Sequence, residues 1–313
     1  MILLNYINYR GLLLALAALV PVVFYYLKTA DILASYLGLI SVSLVIVKDK
    51  LHLTLKHSIY HYLATIVAFS LLYFAYSEKV LFVIITALIA LFTILITQRG
   101  GKLRTLGNYI FIPAVYIGCE LRMHITEGDL IPQYMHFLEL TLICLLSHIA
   151  VHLLFKDKLN EDFGLPEVNW FRPSLIILIS VTLATSSALL LHLEHLQWAI
   201  WSSASVILAS FDQTKIKVEH RITGLIIGVP LALALIQILP KSEVIYIISL
   251  ISAVLTLIAF KNYTLAFTIR CFLVVIVAGM GNFAIQASEE RIESVLLGGA
   301  IGVICSYIFK GQR

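Results

Sequence analysis

Twelve stretches of this chain run apolar without alternation for about 16 to 24 residues each, and that property decides its solvent. A helix of this length spans the hydrocarbon core of a bilayer, whereas a half-buried strand would alternate apolar and polar residues. Lipid offers no partner to backbone N–H and C=O groups, so a crossing segment must satisfy them internally, as a helix or in a closed barrel. Continuous runs select helices. Composition agrees: 60% of residues are hydrophobic and 13% are charged, against about 25% charged in an ordinary soluble domain. The expected fold is all-α, a polytopic membrane protein of about twelve transmembrane helices.

The expected spans lie near 11–27, 31–47, 59–76, 79–97, 107–121 and 132–155, then 174–192, 196–211, 221–239, 243–260, 264–283 and 294–309. The run after Arg10 ends in bulky Phe24, Tyr25, Tyr26 and Leu27 with no small-residue cleavage pattern, so it reads as a retained first span. With the N-terminus in the cytoplasm, this map puts sixteen lysines and arginines on the cytoplasmic face and five, Lys28, Lys79, Arg122, Lys241 and Arg291, on the other. Such an imbalance is the positive-inside pattern, and it predicts a multi-pass inner (plasma) membrane protein with both termini cytoplasmic. Only Arg270 falls well inside a span.

The two halves resemble each other. Residues 55–80 lie over residues 218–243 at a constant offset of 163, and near the ends Glu139 lies over Glu293 at an offset of 154. The expected organisation is a first six-helix repeat at 1–155, a cytoplasmic linker at 156–173 and a second six-helix repeat at 174–313. Each half has an even number of spans, so the halves are parallel, with a pseudo-two-fold axis along the membrane normal.

Several positions could carry chemistry. Trp198 and Trp201 sit early in span 8, and Asp212, Thr214, Lys215 and Lys217 follow in an expected cytoplasmic loop. Span 9 opens Arg221-Ile222-Thr223-Gly224-Leu225-Ile226-Ile227-Gly228. Gly224 and Gly228 share a helical face and allow another backbone to approach, with Arg221 one turn earlier on the same stripe. The plainer reading of that stripe is a charged anchor beside a packing pair. Arg270 needs a partner, water or a route to the interface, because a cation inside a span is costly. It serves either as a snorkelling anchor or as a cationic post for an anion. His136 and Glu139, three residues apart, with Glu293 in the second half, could take up protons, since a partly buried carboxylate or histidine can titrate near neutral pH. Their plainer reading is interfacial residues in water. His148 and His152 have the spacing of two metal ligands on one face, but no third ligand is near in sequence, which favours a packing pair. The four cysteines all lie in apolar runs without metal-site spacing, so they read as packing residues.

Trp198, Arg221, Gly224 and Gly228 resemble the repeat of the fusaric acid resistance and aromatic acid exporter superfamily, distant relatives of which include the plant aluminium-activated malate channels. That repeat has an aromatic-Trp opening its second helix, a polar loop, and an Arg-x-x-Gly-Thr-x-x-Gly pattern opening the third; here Leu225 stands at the threonine position. Arg291, Glu293 and Gly298 resemble the opening of its sixth helix, which makes Gly298 a further packing position. The likeness covers 174–309, whereas Ser58, His61 and Thr65 occupy the Arg, Gly and Gly places of the first half. The large cytoplasmic domain usual in the exporters has no counterpart in this sequence.

The resemblance implies a transporter or channel for small organic anions, aromatic or other carboxylates, working as an efflux system. Arg270, Arg221 and Trp198 would bind substrate, and Glu139, Glu293 and His136 would couple protons. The pathway is expected between the two halves. No cofactor or metal is implied. The expected partners are the lipid bilayer and the substrate, with a second copy or a partner subunit left open. Basic residues follow topology rather than cluster, so nucleic acid is excluded as a partner. No nucleotide loop, nucleophile elbow or HExxH is present, and a non-enzyme is expected. The alternatives are a membrane-embedded lipid-modifying transferase using an intramembrane histidine, and an accessory subunit without a pathway of its own.

Overall fold

The computed structural model describes residues 6–123, 129–155, 163–166, 171–208 and 210–310. These form α1 (Tyr9–Thr29), α2 (Leu33–Leu51), α3 (Leu55–Ala75), α4 (Lys79–Leu95), α5 (Leu103–Met123), α6 (Leu130–Leu154), α7 (Phe171–Leu190), α8 (Leu196–Val206), α9 (Phe211–Ile236), α10 (Glu243–Ala259), α11 (Tyr263–Met280) and α12 (Ala284–Ile308). Eight of them (α1, α3, α4 with its following 3-10 turn, α6, α7, α9, α11 and α12) are long and apolar enough to cross a membrane. The chain is an all-α membrane protein. Local chemistry sets several starts: Thr54, Ser210 and Asn262 accept the backbone N–H groups of His57, Gln213 and Leu265, capping α3, α9 and α11.

Two compact units emerge, Arg10–Leu178 and Ile179–Arg313 together with Met1–Tyr9. The division falls inside α7 rather than in the 156–173 linker, of which 156–162 and 167–170 lie outside the described residues. In the first unit, α5 packs on α2, α3 and α4. Gly107 of α5 leaves no room for a Cβ beside Thr93, whose Cα would lie at 2.6 Å, and this lets α4 and α5 touch. Residues 37–48 of α2 are all buried, as expected of a helix that is apolar all round and surrounded by protein. The described part of the linker docks on the turn before α5, where Gly101 and Lys102 donate backbone hydrogen bonds to Leu165 and Phe163.

In the second unit, α9 packs on α11, α8 on α12, and α10 on α11. The N-terminal segment joins this unit: Asn8 donates to the Ala259 carbonyl and Lys261 to the Tyr6 carbonyl, both at 2.8 Å. Five helix pairings are the same in both units. The second helix packs on the third and the sixth, the third on the fifth and the sixth, and the fourth on the fifth.

The boundaries depart most from expectation in two places. α8 stops at Val206 instead of 211, and α9 begins at Phe211 instead of 221, so Asp212, Thr214, Lys215 and Lys217 lie on its first two turns and not in a loop. Ser210 caps that start, and the Thr214 hydroxyl accepts the Leu208 N–H, which stabilises the early helix. α12 begins at Ala284 instead of 294, which brings Glu290, Arg291 and Glu293 into the helix. Arg291 is therefore not the exposed loop anchor that the charge count assumes. It is 3% exposed.

Candidate functional site

The site is assembled where glycines bring helices of the second unit together. A Cβ at Gly224 would lie 2.7 Å from Phe267, and one at Gly228 would meet the Thr268 carbonyl oxygen, so both face α11. Gly298 faces α8 in the same manner, against the Ala199 carbonyl oxygen and 2.6 Å from Ser202 Cβ. Close backbone approach carries the larger neighbouring side chains into a common centre.

Two arginines, Arg221 and Arg291, converge there, and a third, Arg270, lies on α11 with contacts of its own. Arg221 is 3% exposed; its Nε donates to the Tyr263 hydroxyl at 2.7 Å and its Nη2 to the Ser205 hydroxyl at 2.6 Å. Its guanidinium carbon lies 4.9 Å from the Phe267 ring centroid, and that of Arg291 lies 5.6 Å from the same centroid. Arg291 also stands over the Trp198 ring at 5.1 Å, and its Nε has no hydrogen-bond partner. Trp198 is buried, so its ring faces protein. Arg270 is 9% exposed, donates from Nε to the Thr256 hydroxyl at 2.8 Å, and lies 5.4 Å from the Trp201 centroid.

Among the described residues no carboxylate forms an ion pair with Arg221 or Arg291. Ser205 lies in the last turn of α8, so Arg221 also sits at the negative end of that helix dipole. The ring contacts supply about 0.5–2 kcal/mol each, whereas placing an arginine in a span costs about 2.5–3.5 kcal/mol. The ring contacts offset part of that cost. The pair is held in the core and still carries two uncompensated charges of one sign around an aromatic face, an arrangement suited to an anion with an apolar body.

The expected proton-coupling residues separate. Glu139 and Glu293 are exposed on their helices and take part in no hydrogen bond or ion pair among the described residues. His136 instead bonds Asp31, with Nε2 and Oδ2 at 2.8 Å. The second unit has a comparable pair, His195 Nε2 at 3.9 Å from Glu290 Oε2, and Glu290 also accepts the Glu194 N–H. In both units the pair joins the turn before the second helix to the start of the sixth. In the first unit, Ser58, His61 and Thr65 are buried, and no guanidinium stands in the place of Arg221. No group of three or more histidine, cysteine or acidic side chains among the described residues could hold a metal ion.

Sequence reasoning missed Phe267, Tyr263, Asp31, His195 and the burial of Arg291. One signal was present. Ala287, Arg291, Ser294, Val295, Gly298, Gly302 and Cys305 form one helical stripe, and all are buried.

Helices of membrane-spanning length around a buried cationic and aromatic centre are features of a membrane transporter. Residues 183–305 match the family described as Fusaric acid resistance protein-like, and the resemblance read from the motif residues lies in that same stretch. No curated protein and no solved structure matches the chain.

Proposed function

We propose that this chain is an inner-membrane transporter or channel that carries small organic anions, aromatic or other carboxylates, out of the cytoplasm. The observation that carries the proposal is the convergence of Arg221 and Arg291 on Phe267 with no acidic partner among the described residues. A carboxylate would bridge the two guanidinium groups, and an aromatic substrate body would lie among Trp198, Phe267 and Tyr263. Arg270, over Trp201, provides a further cationic post on α11.

The same reading treats the chain as two parallel six-helix repeats with both termini cytoplasmic. The five shared helix pairings and the charge imbalance support it. Proton uptake is assigned to His136 with Asp31, beside Glu139, and to His195 with Glu290, beside Glu293. A histidine–carboxylate pair changes its net charge near neutral pH, which suits coupling.

The test is flux of labelled benzoate, salicylate and succinate through liposomes containing the purified protein. Wild-type flux should exceed that of empty liposomes. Arg291→Gln should lower it at least about tenfold, the loss expected when a charge-assisted contact worth about 1.5–3 kcal/mol is removed. Flux that the well-folded Arg291→Gln variant retains in full would overturn the assignment of the site.

A further inference from the structure

The strap that joins the second unit before α1 is made of main-chain groups. Ile7 lies opposite Phe260 in an antiparallel bridge. On either side, the Asn8 N–H donates to the Ala259 carbonyl and the Lys261 N–H to the Tyr6 carbonyl, both at 2.8 Å. Ala259 is the last residue of α10, so its carbonyl is one of the acceptors that a helix end leaves without an intrahelical partner. Phe260 is extended, with φ −117° and ψ 137°, and the link from α10 to α11 is only Phe260, Lys261 and Asn262. The strap gives that short link a strand partner.

The link ends at the arginine site. Asn262 caps α11 by accepting the Leu265 N–H at 3.0 Å, and Tyr263 is the first residue of the helix. The Tyr263 hydroxyl accepts from Arg221 Nε at 2.7 Å, and its ring stacks on Phe267 with centroids 6.1 Å apart. With Ser205 on Nη2, these contacts hold the Arg221 guanidinium in one orientation over Phe267. A planar fork grips a carboxylate with two bonds only when its plane is fixed. The N–H groups of a first helical turn have no intrahelical partner, so what precedes Tyr263 decides where its hydroxyl stands.

We propose that the strap Tyr6–Asn8 sets the anion affinity of the arginine site: it holds the α10–α11 link, the link places the Tyr263 hydroxyl, and that hydroxyl orients Arg221. Tyr263 is a positioning residue, and the strap is a latch on it. The inference rests on the anion-transport reading of Arg221 and Arg291. Because the latch is main chain, replacing a side chain leaves it closed, whereas proline removes an N–H and opens it.

The experiment measures labelled benzoate flux against benzoate concentration in liposomes containing the full-length protein. Asn8→Pro and Lys261→Pro should each raise the apparent KM about three- to tenfold, the scale of a lost hydrogen bond, with the maximal rate unchanged. Asn8→Ala and Lys261→Ala keep the N–H groups and should keep the wild-type KM. Tyr263→Phe should raise KM on the same scale, and Asn8→Pro added to it should raise it no further, since both act in one line. Ile7 and Phe260 form a pair without hydrogen bonds to each other, where Cα atoms stand about 4.5 Å apart, within the reach of a disulfide. In a background without the four buried cysteines, Ile7→Cys with Phe260→Cys should therefore close the latch covalently. Combined with Asn8→Pro, the oxidised form should recover the wild-type KM and the reduced form should lose it. Asn8→Pro lies outside every helix and carries the reading if Lys261→Pro does not fold; Tyr263→Phe needs no cysteine replacement. Normal wild-type flux with an unchanged KM in the proline variants overturns the latch alone, as does a raised KM that oxidation leaves unrestored. Wild-type protein without flux overturns the transport reading itself and the latch with it.

Discussion

Replacing Gly298 by alanine tests the closeness of α8 and α12 with a single methyl group. The new Cβ would press on the Ala199 carbonyl oxygen and lie 2.6 Å from Ser202 Cβ and 2.8 Å from the Ser203 nitrogen. Ordinary carbon contacts sit at about 3.5–4.0 Å, so the helices would have to part by about 1 Å. That movement also loosens the fit of Gly302 against Val206. Overpacking of this kind costs about 1–3 kcal/mol. Alanine in place of glycine inside a helix returns about 0.5–1 kcal/mol. Gly299 is the control: its nearest neighbour would be Val218 Cγ1 at 3.4 Å, an ordinary contact with a side chain that can turn. Gly298→Ala should therefore unfold more readily than wild type, and Gly299→Ala at the same point or later. The assay is the unfolding midpoint of each variant in detergent under one set of conditions. If Gly298→Ala proves as stable as Gly299→Ala, the close contact of α8 with α12 is wrong.

Arg270→Ala should abolish carboxylate flux, and Arg270→Lys should keep part of it at weaker apparent affinity, because lysine retains the charge but loses the planar fork; full flux through a well-expressed alanine variant would limit Arg270 to a structural role with Thr256 and Trp201. For topology, an impermeant maleimide applied to intact cells should label Lys79→Cys and miss Lys310→Cys, each in a background without the four buried cysteines. The reverse labelling pattern would invert the proposed orientation.

Much of the helix map is legible in the sequence because lipid imposes one rule on every residue of a span. The expected run at 79–97 and the observed α4 at Lys79–Leu95 differ only at one end. The rule fails where protein, not lipid, surrounds the chain. The start of α12 carries Gln286, Glu289, Glu290, Arg291 and Glu293 and so reads as a loop, yet its inward stripe is covered by neighbouring helices. The charge count has the same weakness, since it treats each arginine as a headgroup anchor, and Arg221 and Arg291 are buried beside Phe267. Gly224 and Gly228 are visible because their spacing is local. The His136–Asp31 pair spans 105 positions and leaves no local trace.

α8 has a consequence for how the chain is made. At 11 residues it is about 16 Å long, roughly half the hydrocarbon thickness, and it buries Gln197, Ser202 and Ser203. A segment this short and this polar has little tendency to leave the translocation channel for lipid unaided. Its cover comes from α12, through Gly298 and Gly302, and that helix is synthesised after it. Until residues 284–308 emerge from the ribosome, the face of α8 that meets α12 has no cover. Membrane insertion of this half is therefore not a sequence of independent steps, because α8 depends for its cover on a helix made after it.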